Sequence, residues 1–289
     1  MPASIKRWIR CGIGAVAATL VGLAGCKKGG DERDKIDIPK PPVQVEAKKD
    51  NNGKTLLAQS VALEKAPQLL SFRDAVILDP PPEGESRPPN NTYTGKNAVK
   101  IFELIASDLW DKVNFTDNDG RRIKYRAIVA TELGDIHVAL HGNIAPNHVR
   151  SFVCLAKTGY YDGMAFYYSI NRKVVGDTVA YIEAGCPRGT GEIGSGSIGY
   201  WLRPEISDKL THEEGVLGAC IGRDPESAAC RFYLTAAVMP QMDGEFTIFG
   251  KVIQGLDVVR TINKRAVQEN DRLEQPVLLR SVTIQTEIE

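Results

Sequence analysis

The stretch Gly159-Tyr160-Tyr161-Asp162-Gly163-Met164-Ala165-Phe166-Tyr167-Tyr168-Ser169-Ile170 opens with a turn bounded by two glycines and continues into an aromatic run. Just before it, Ala145–Leu155 carries a proline at its second position followed by apolar residues, which predicts a helix that begins at the proline. Earlier still, Gly134–Leu140 alternates in the manner of a half-buried strand. The order around the quoted stretch is therefore strand, helix and turn.

Four more segments continue this order downstream, and they are Ala184–Gly191, Arg231–Leu234, Met242–Gly244 and Phe249–Val259. No single segment is specific, but the ordered set resembles the cyclophilin family of peptidyl-prolyl isomerases over residues 123–289. The resemblance implies a mainly β fold, a closed eight-stranded antiparallel barrel with two flanking helices and a substrate groove on its outer face.

The local patterns agree with such a barrel. Predicted strands are Tyr125–Thr131 and Ile136–Leu140, which form a hairpin, with Phe246–Val252 and Arg280–Ile284. Predicted helices are Val149–Lys157 and Leu256–Asn263. Many strands with two isolated helices favour a barrel over an alternating α/β sheet.

The first 26 residues predict where the protein resides. A basic start is followed by the nearly apolar Cys11–Gly25, and Leu23-Ala24-Gly25-Cys26 resembles the bacterial lipobox. This resemblance implies cleavage before Cys26, lipidation of its thiol and an extracytoplasmic domain held on a bacterial membrane. The alternatives are a retained spanning anchor, for which the run is short of the roughly 20 apolar residues needed, and a misread core helix.

The remaining chain divides by composition. Residues 26–93 are charged and proline-rich and predict a flexible linker. Apolar residues at helical spacing predict a helix over Lys96–Asp111 that packs on the barrel, within an N-terminal region of residues 94–122. The predicted organisation is a signal peptide, a linker, this helix with its turn, and a barrel domain, over residues 1–25, 26–93, 94–122 and 123–289.

Composition and motifs argue against several ligands. The chain carries 36 basic and 36 acidic residues without a basic cluster, so nucleic-acid binding is not expected. Gly189–Gly194 matches a dinucleotide fingerprint, but a proline precedes it and more glycines follow where a helix should begin. It is interpreted as a glycine-rich loop, and neither nucleotide nor any other cofactor is expected. Zinc is disfavoured because no paired Cys-x-x-Cys is present.

Four cysteines lie in the barrel domain. Cys154 falls among apolar helix positions and predicts a core thiol. Cys220 and Cys230 flank a loop that joins neighbouring strands in this fold, so either a disulfide or two free buried thiols is open.

Prolyl isomerisation requires the enzyme to favour a twisted peptide bond, whose rotation barrier is about 18–20 kcal/mol. An apolar pocket for the proline ring and a hydrogen-bond donor to the prolyl nitrogen suffice. In the family an arginine supplies the donor, and the resemblance places Tyr168 at that position and Tyr167 at the preceding histidine. A tyrosine hydroxyl donates one hydrogen bond without a positive charge.

Other groove positions depart from the family as well. The resemblance assigns substrate binding to six residues, Ala180, Tyr181, Tyr233, Gln241, Met242 and Phe246. Of these, Ala180 replaces a phenylalanine, Gln241 a tryptophan and Phe246 a histidine. Glu183 replaces a glutamine that binds a carbonyl, and an ionised carboxylate can only accept hydrogen bonds. The pocket floor is partly kept, and most polar groups are changed.

Two arginines could supply the missing cation. Arg231 takes a groove-lining position, and Tyr168, Glu183 and Arg231 are therefore the predicted catalytic set. Arg172 lies in a segment several residues longer than the family's, and a solvated loop arginine is its favoured interpretation. Two functions remain open, a membrane-tethered isomerase of proline-containing polypeptides with weak or altered catalysis, and an inactive module that binds such polypeptides.

Overall fold

A computed structural model describes residues 69–289 of the chain. Its helices are α1 Phe72–Ala75, α2 Ala98–Leu104, α3 Pro146–Lys157 and α4 Leu256–Asn263. Its strands are β1 Val76–Ile77, β2 Ile123–Thr131, β3 Gly134–Leu140, β4 Met164–Val174, β5 Asp177–Ala184, β6 Trp201–Leu202, β7 Val216–Ala219, β8 Phe232–Thr235, β9 Ile248–Gln254 and β10 Arg272–Ile288. The predicted signal peptide and Cys26 lie outside the described residues.

Eight strands close into a barrel in the order β10-β2-β3-β9-β7-β8-β5-β4, and every neighbouring pair is antiparallel. The predicted mainly β barrel is therefore confirmed. Phe232 lies inside it between two other rings, at 5.6 Å from Phe152 of α3 and 6.0 Å from Phe166 of β4, both edge to face. These aromatic contacts pack the middle of α3 against the barrel.

The start of α3 is held by a carboxylate from outside the helix. Pro146 occupies the first turn, where a missing N–H does no harm. Glu205 accepts hydrogen bonds from the backbone N–H groups of Asn147, at 3.1 Å, and His148, at 2.9 Å. A negative charge at this end also favours the helix dipole.

The segment before the barrel is more ordered than its composition predicted. Residues 69–93 were expected to belong to a flexible linker, and this is wrong for that stretch. Phe72 is buried, with its ring 5.3 Å from those of Trp110 and Tyr200, and β1 pairs with β6. A few apolar anchors among prolines show no period along the chain, so only their tertiary partners reveal the packing.

The predicted helix before the barrel is present. Asn97 caps α2 by accepting from the N–H of Lys100 at 2.9 Å. A π turn over Ile105–Leu109 and a 3₁₀ turn over Trp110–Lys112 continue it. Ile105 and Trp110 are buried, which is the packing role expected of this helix.

Strands β4 and β5 form a long hairpin whose tip is Val175-Gly176. Arg172, in the segment that is longer than the family's, lies on this hairpin opposite Val179. Asn263 at the end of α4 fastens the hairpin, because its side-chain amide donates to the carbonyls of Ile170, at 2.8 Å, and Tyr181, at 3.1 Å. The strands that carry the groove residues are thereby held in register.

Candidate functional site

Strand pairing brings the central predicted residues together. Tyr168 of β4 lies opposite Glu183 of β5, and Glu183 lies opposite Tyr233 of β8. Arg231 immediately precedes β8. The barrel thus brings the predicted catalytic set and part of the predicted pocket together, because residues opposite each other on antiparallel strands have neighbouring side chains.

Tyr168 is buried, and its hydroxyl donates to Oδ2 of Asp271 at 3.2 Å. Burial, followed by the charge of Asp271, raises the pKa of Tyr168 above its ordinary value. The residue that the resemblance assigns to the position of the catalytic arginine is therefore a neutral phenol, whose single hydrogen bond is already donated within the protein.

Asp271 also binds Arg172, one of the two candidate arginines. The guanidinium of Arg172 pairs with Oδ1 of Asp271, although the Arg172 side chain remains 39% exposed. Arg172 is exposed, as expected of a solvated arginine, but it lies on strand β4 and not in a loop. Its partner Asp271 lies 99 positions away in the sequence, and only the fold brings the two together.

Arg231 is committed to Glu183. Its Nε lies 2.7 Å and its Nη2 2.6 Å from Oε1 of Glu183, and both side chains are at least nine-tenths buried. The hydroxyl of Tyr167 donates to the same carboxylate oxygen. Burial alone would lower the pKa of Arg231, but Glu183 and Tyr167 raise it well above its ordinary value. Arg231 is charged and buried, with its charge balanced inside the protein.

The floor of the site is a row of aromatic rings. Tyr181 lies between Tyr168, at 6.0 Å, and Tyr233, at 5.8 Å, and Phe246 meets Tyr233 edge to face at 6.1 Å. Met242 packs in the same buried core. Tyr233 is only 2% exposed, so a proline ring gains access to this floor only if side chains above it move.

Ala180 and Gln241 serve the hairpin rather than an open pocket. The backbone N–H of Ala180 points at the sulfur of Met239 at 3.3 Å, and its carbonyl accepts from Ala236 at 2.8 Å. The side-chain amide of Gln241 donates to the carbonyl of Thr178 at 2.7 Å. Both residues are buried, and their contacts fasten β5 to the segment after β8.

His212 is a site residue that the sequence did not single out. Its Nε2 lies 2.8 Å from the hydroxyl of Tyr233 and its Nδ1 2.8 Å from Oδ1 of Asp243. Burial lowers the pKa of His212, and Asp243 opposes the shift. Neutral His212 with its proton on Nδ1 accepts the hydrogen bond of Tyr233. The sequence could have indicated such a partner, because the pocket residue Tyr233 carries a hydroxyl and a buried tyrosine hydroxyl usually has a hydrogen-bond partner.

The open question about the cysteines is resolved for the barrel. Cys154, Cys186, Cys220 and Cys230 are all free and buried. Burial raises the pKa of Cys154, and likewise that of Cys230, to about 12. These thiols belong to the core, as predicted for Cys154, and the disulfide alternative for Cys220 and Cys230 is not adopted.

Comparison with known proteins identifies the family. The model of cyclophilin type peptidyl-prolyl cis-trans isomerase/CLD matches residues 126–284. The chain is 34% identical over 146 residues to peptidyl-prolyl cis-trans isomerase-like 1 of Rhizopus delemar, covering 50% of this chain and 84% of that protein. It is 32% identical over 154 residues to peptidyl-prolyl cis-trans isomerase CYP18-1 of Arabidopsis thaliana, covering 53% of this chain and 92% of that protein.

A solved structure agrees with the sequence match. The crystal structure of a cyclophilin type peptidyl-prolyl cis-trans isomerase from Cryptosporidium parvum superposes with a TM-score of 0.50 at 25% identity, covering 56% of this chain and 98% of that one. The family match spans more than half of the chain, and the observed closed barrel is the fold it implies. The chain belongs to the cyclophilin-type peptidyl-prolyl cis-trans isomerase family.

Proposed function

We propose that this protein is a membrane-tethered, extracytoplasmic cyclophilin that assists the folding of exported proteins and isomerises prolyl bonds far more slowly than an arginine-bearing relative. The observation that carries the proposal is the internal pairing of its polar groups. Arg231 is bound to Glu183, while Arg172 and Tyr168 both bind Asp271.

The chemistry explains why pairing should slow turnover. The twisted transition state exposes the lone pair of the prolyl nitrogen, and a donor aimed at that lone pair lowers the barrier. The Tyr168 hydroxyl donates its only hydrogen bond to Asp271. Loss of one well-placed donor reduces turnover by about 10²–10³-fold in other enzymes, and a reduction of that order is expected here.

The experiment compares full-length variants in a prolyl isomerisation assay. Tyr168→Arg restores a guanidinium and should raise kcat/KM, whereas Tyr168→Phe removes only the hydroxyl and should leave the low value unchanged. Arg231→Ala tests whether Arg231 supplies the missing donor, and the folded variant should keep the low kcat/KM of the parent. Brisk turnover in the parent would overturn the proposal of weak catalysis, and its loss in a folded Arg231→Ala variant would assign the donor to Arg231.

The tethering part of the proposal is supported by Leu23-Ala24-Gly25-Cys26. Within residues 69–289, no helix is both long and apolar enough to cross a bilayer. Expression in a bacterial host with a labelled fatty acid tests the anchor. The parent should carry label and sediment with membranes, and Cys26→Ser should lose both properties. Unlabelled parent protein would refute lipidation.

A second candidate function is a binding module without turnover. It is favoured by the aromatic row of Tyr181, Tyr233 and Phe246, which offers apolar contacts to a proline ring once the side chains above it move, while the polar groups stay paired. Titration with a proline-containing peptide separates the two functions. Saturable binding with no exchange between cis and trans peptide, in the parent and in Tyr168→Arg alike, would favour the module.

A further inference from the structure

A cavity on the outer side of the barrel lies beside β2 and β3, and it is called the side cavity. Its volume is about 610 Å³, and its lining includes Phe115, Arg122, Ala139, His141 and Ile253. Buried and less buried residues alternate along β2 and β3, so the less buried ones, Ala139 among them, face outward. None of the residues assigned above to catalysis or to substrate binding lines this cavity. It is therefore separate from the candidate site.

One wall of the side cavity is an aromatic ring held firmly in place. The N–H of Ile123 donates to the carbonyl of Phe115 at 2.9 Å, and the Phe115 ring meets the Tyr125 ring edge to face at 5.5 Å. The Tyr125 hydroxyl in turn donates to the carbonyl of Asn114 at 2.9 Å. A Cβ atom at Gly142 would lie 2.1 Å from a carbon of the Phe115 ring, so the ring rests directly on the backbone there. This wall is formed before any ligand arrives.

The floor and the edge of the side cavity are apolar. Ala139 of β3 is half-buried. Ile253 of β9 and Leu69 also line the cavity, and they are 52% and 43% exposed. An apolar group placed against these residues would remove their surface from water, which is favourable.

The charges around the side cavity leave one cation without a counter-ion. Lys124 pairs with Glu289, and Arg126 pairs with Glu287 at 2.7 Å, so these two cations of the lining are neutralised by the C-terminal end of the chain. Among residues 69–289, the guanidinium of Arg122 has neither an ion-pair nor a hydrogen-bond partner. The cavity therefore presents a single uncompensated positive charge.

His141 adds a neutral polar group at the same end of the hairpin. Arg122 directly precedes β2 and His141 directly follows β3, and these strands are paired antiparallel. Burial lowers the pKa of His141, and the charge of Lys251 adds to the shift. Within the described part of the chain, neither ring nitrogen of His141 has a hydrogen-bond partner. A neutral imidazole can donate one hydrogen bond to a ligand.

We propose that the side cavity binds a small amphipathic carboxylate. Its carboxylate lies at the end formed by Arg122 and His141, and its aliphatic body covers Ala139 and Ile253 beside the Phe115 ring. One uncompensated cation matches one carboxylate, whereas a doubly charged phosphate would leave a negative charge unpaired. The volume lies within the range of about 300–1,000 Å³ that is common for small-molecule sites. The inference does not rest on the proposed function, because the side cavity shares no residue with the groove.

The test uses decanoate that carries a photoreactive diazirine at the end remote from its carboxylate. The full-length protein is titrated with this probe and irradiated, and the labelled positions are mapped by mass spectrometry. Labelling should saturate and should fall on residues that line the side cavity. The same probe with an alcohol in place of the carboxylate should label these residues only at higher concentration, because it cannot pair with Arg122.

Three variants assign the site. Arg122→Gln should raise the half-saturating concentration by about 10-fold, the effect of losing one charged hydrogen bond. Ala139→Trp fills the floor and should abolish saturable labelling. Arg280→Gln is the matched control, since Arg280 is exposed but does not line the cavity, and it should behave as the parent does.

Two results would overturn the inference. The first is the absence of saturable labelling in the side cavity of the parent. The second is labelling of Arg122→Gln and Ala139→Trp at the parent's half-saturating concentration, when thermal unfolding shows that both variants are folded. Labelling requires no turnover, so either result is separate from a failure of the isomerase proposal.

Discussion

Loss of Arg231 from its buried pair with Glu183 should destabilise the fold by a calculable amount. Arg231→Met removes the cation and leaves the Glu183 carboxylate buried with only neutral partners, the Tyr167 hydroxyl and the Cys220 thiol. Breaking a buried pair by removing one member destabilises proteins by about 3–5 kcal/mol, because the remaining charge is uncompensated. At about 2–4 °C per kcal/mol for a domain of this size, Tm should fall by roughly 6–20 °C.

The matched control removes the stranded charge. Glu183→Gln keeps the volume of the side chain and an acceptor for Tyr167, so the double variant Glu183→Gln with Arg231→Met should be more stable than Arg231→Met alone. Urea unfolding of the four proteins gives the coupling energy as a double-mutant cycle. If the double variant loses at least the sum of the two single losses, the pair is not coupled and the reasoning is refuted.

Two further predictions concern groups near the groove. Because the pKa of Glu85 is raised above its ordinary 4.5, its contribution to stability is present below that value and is lost as pH rises through the raised pKa. Glu85→Gln should therefore raise Tm at neutral pH and have less effect under acid conditions, and an equal shift at both would contradict the burial of Glu85. Tyr233→Phe leaves Nε2 of His212 without its 2.8 Å partner and should cost about 1–3 kcal/mol in urea unfolding. A neutral result would show that the hydroxyl is not needed.

Local sequence patterns predicted the strands and helices well. They could not predict the hydrogen bonds and ion pairs of the site, because these join residues that are distant in the sequence. The hairpin of β2 and β3 follows from alternation over neighbouring residues, and α4 begins and ends where its pattern does. The partners of Tyr168 and Arg231 lie 103 and 48 positions away. No spacing rule links such residues, so the sequence showed that the groove is altered but not that its charges are paired internally.

Slow turnover is expected because the candidate donors in the described part of the chain are bound within the protein, Tyr168 to Asp271 and Arg231 to Glu183. The most direct measurement is kcat/KM of the parent full-length protein and of an arginine-bearing cyclophilin, on the same proline-containing peptide. We expect a value for the parent that is lower by about 10²-fold or more. Equal values for the two proteins would contradict it.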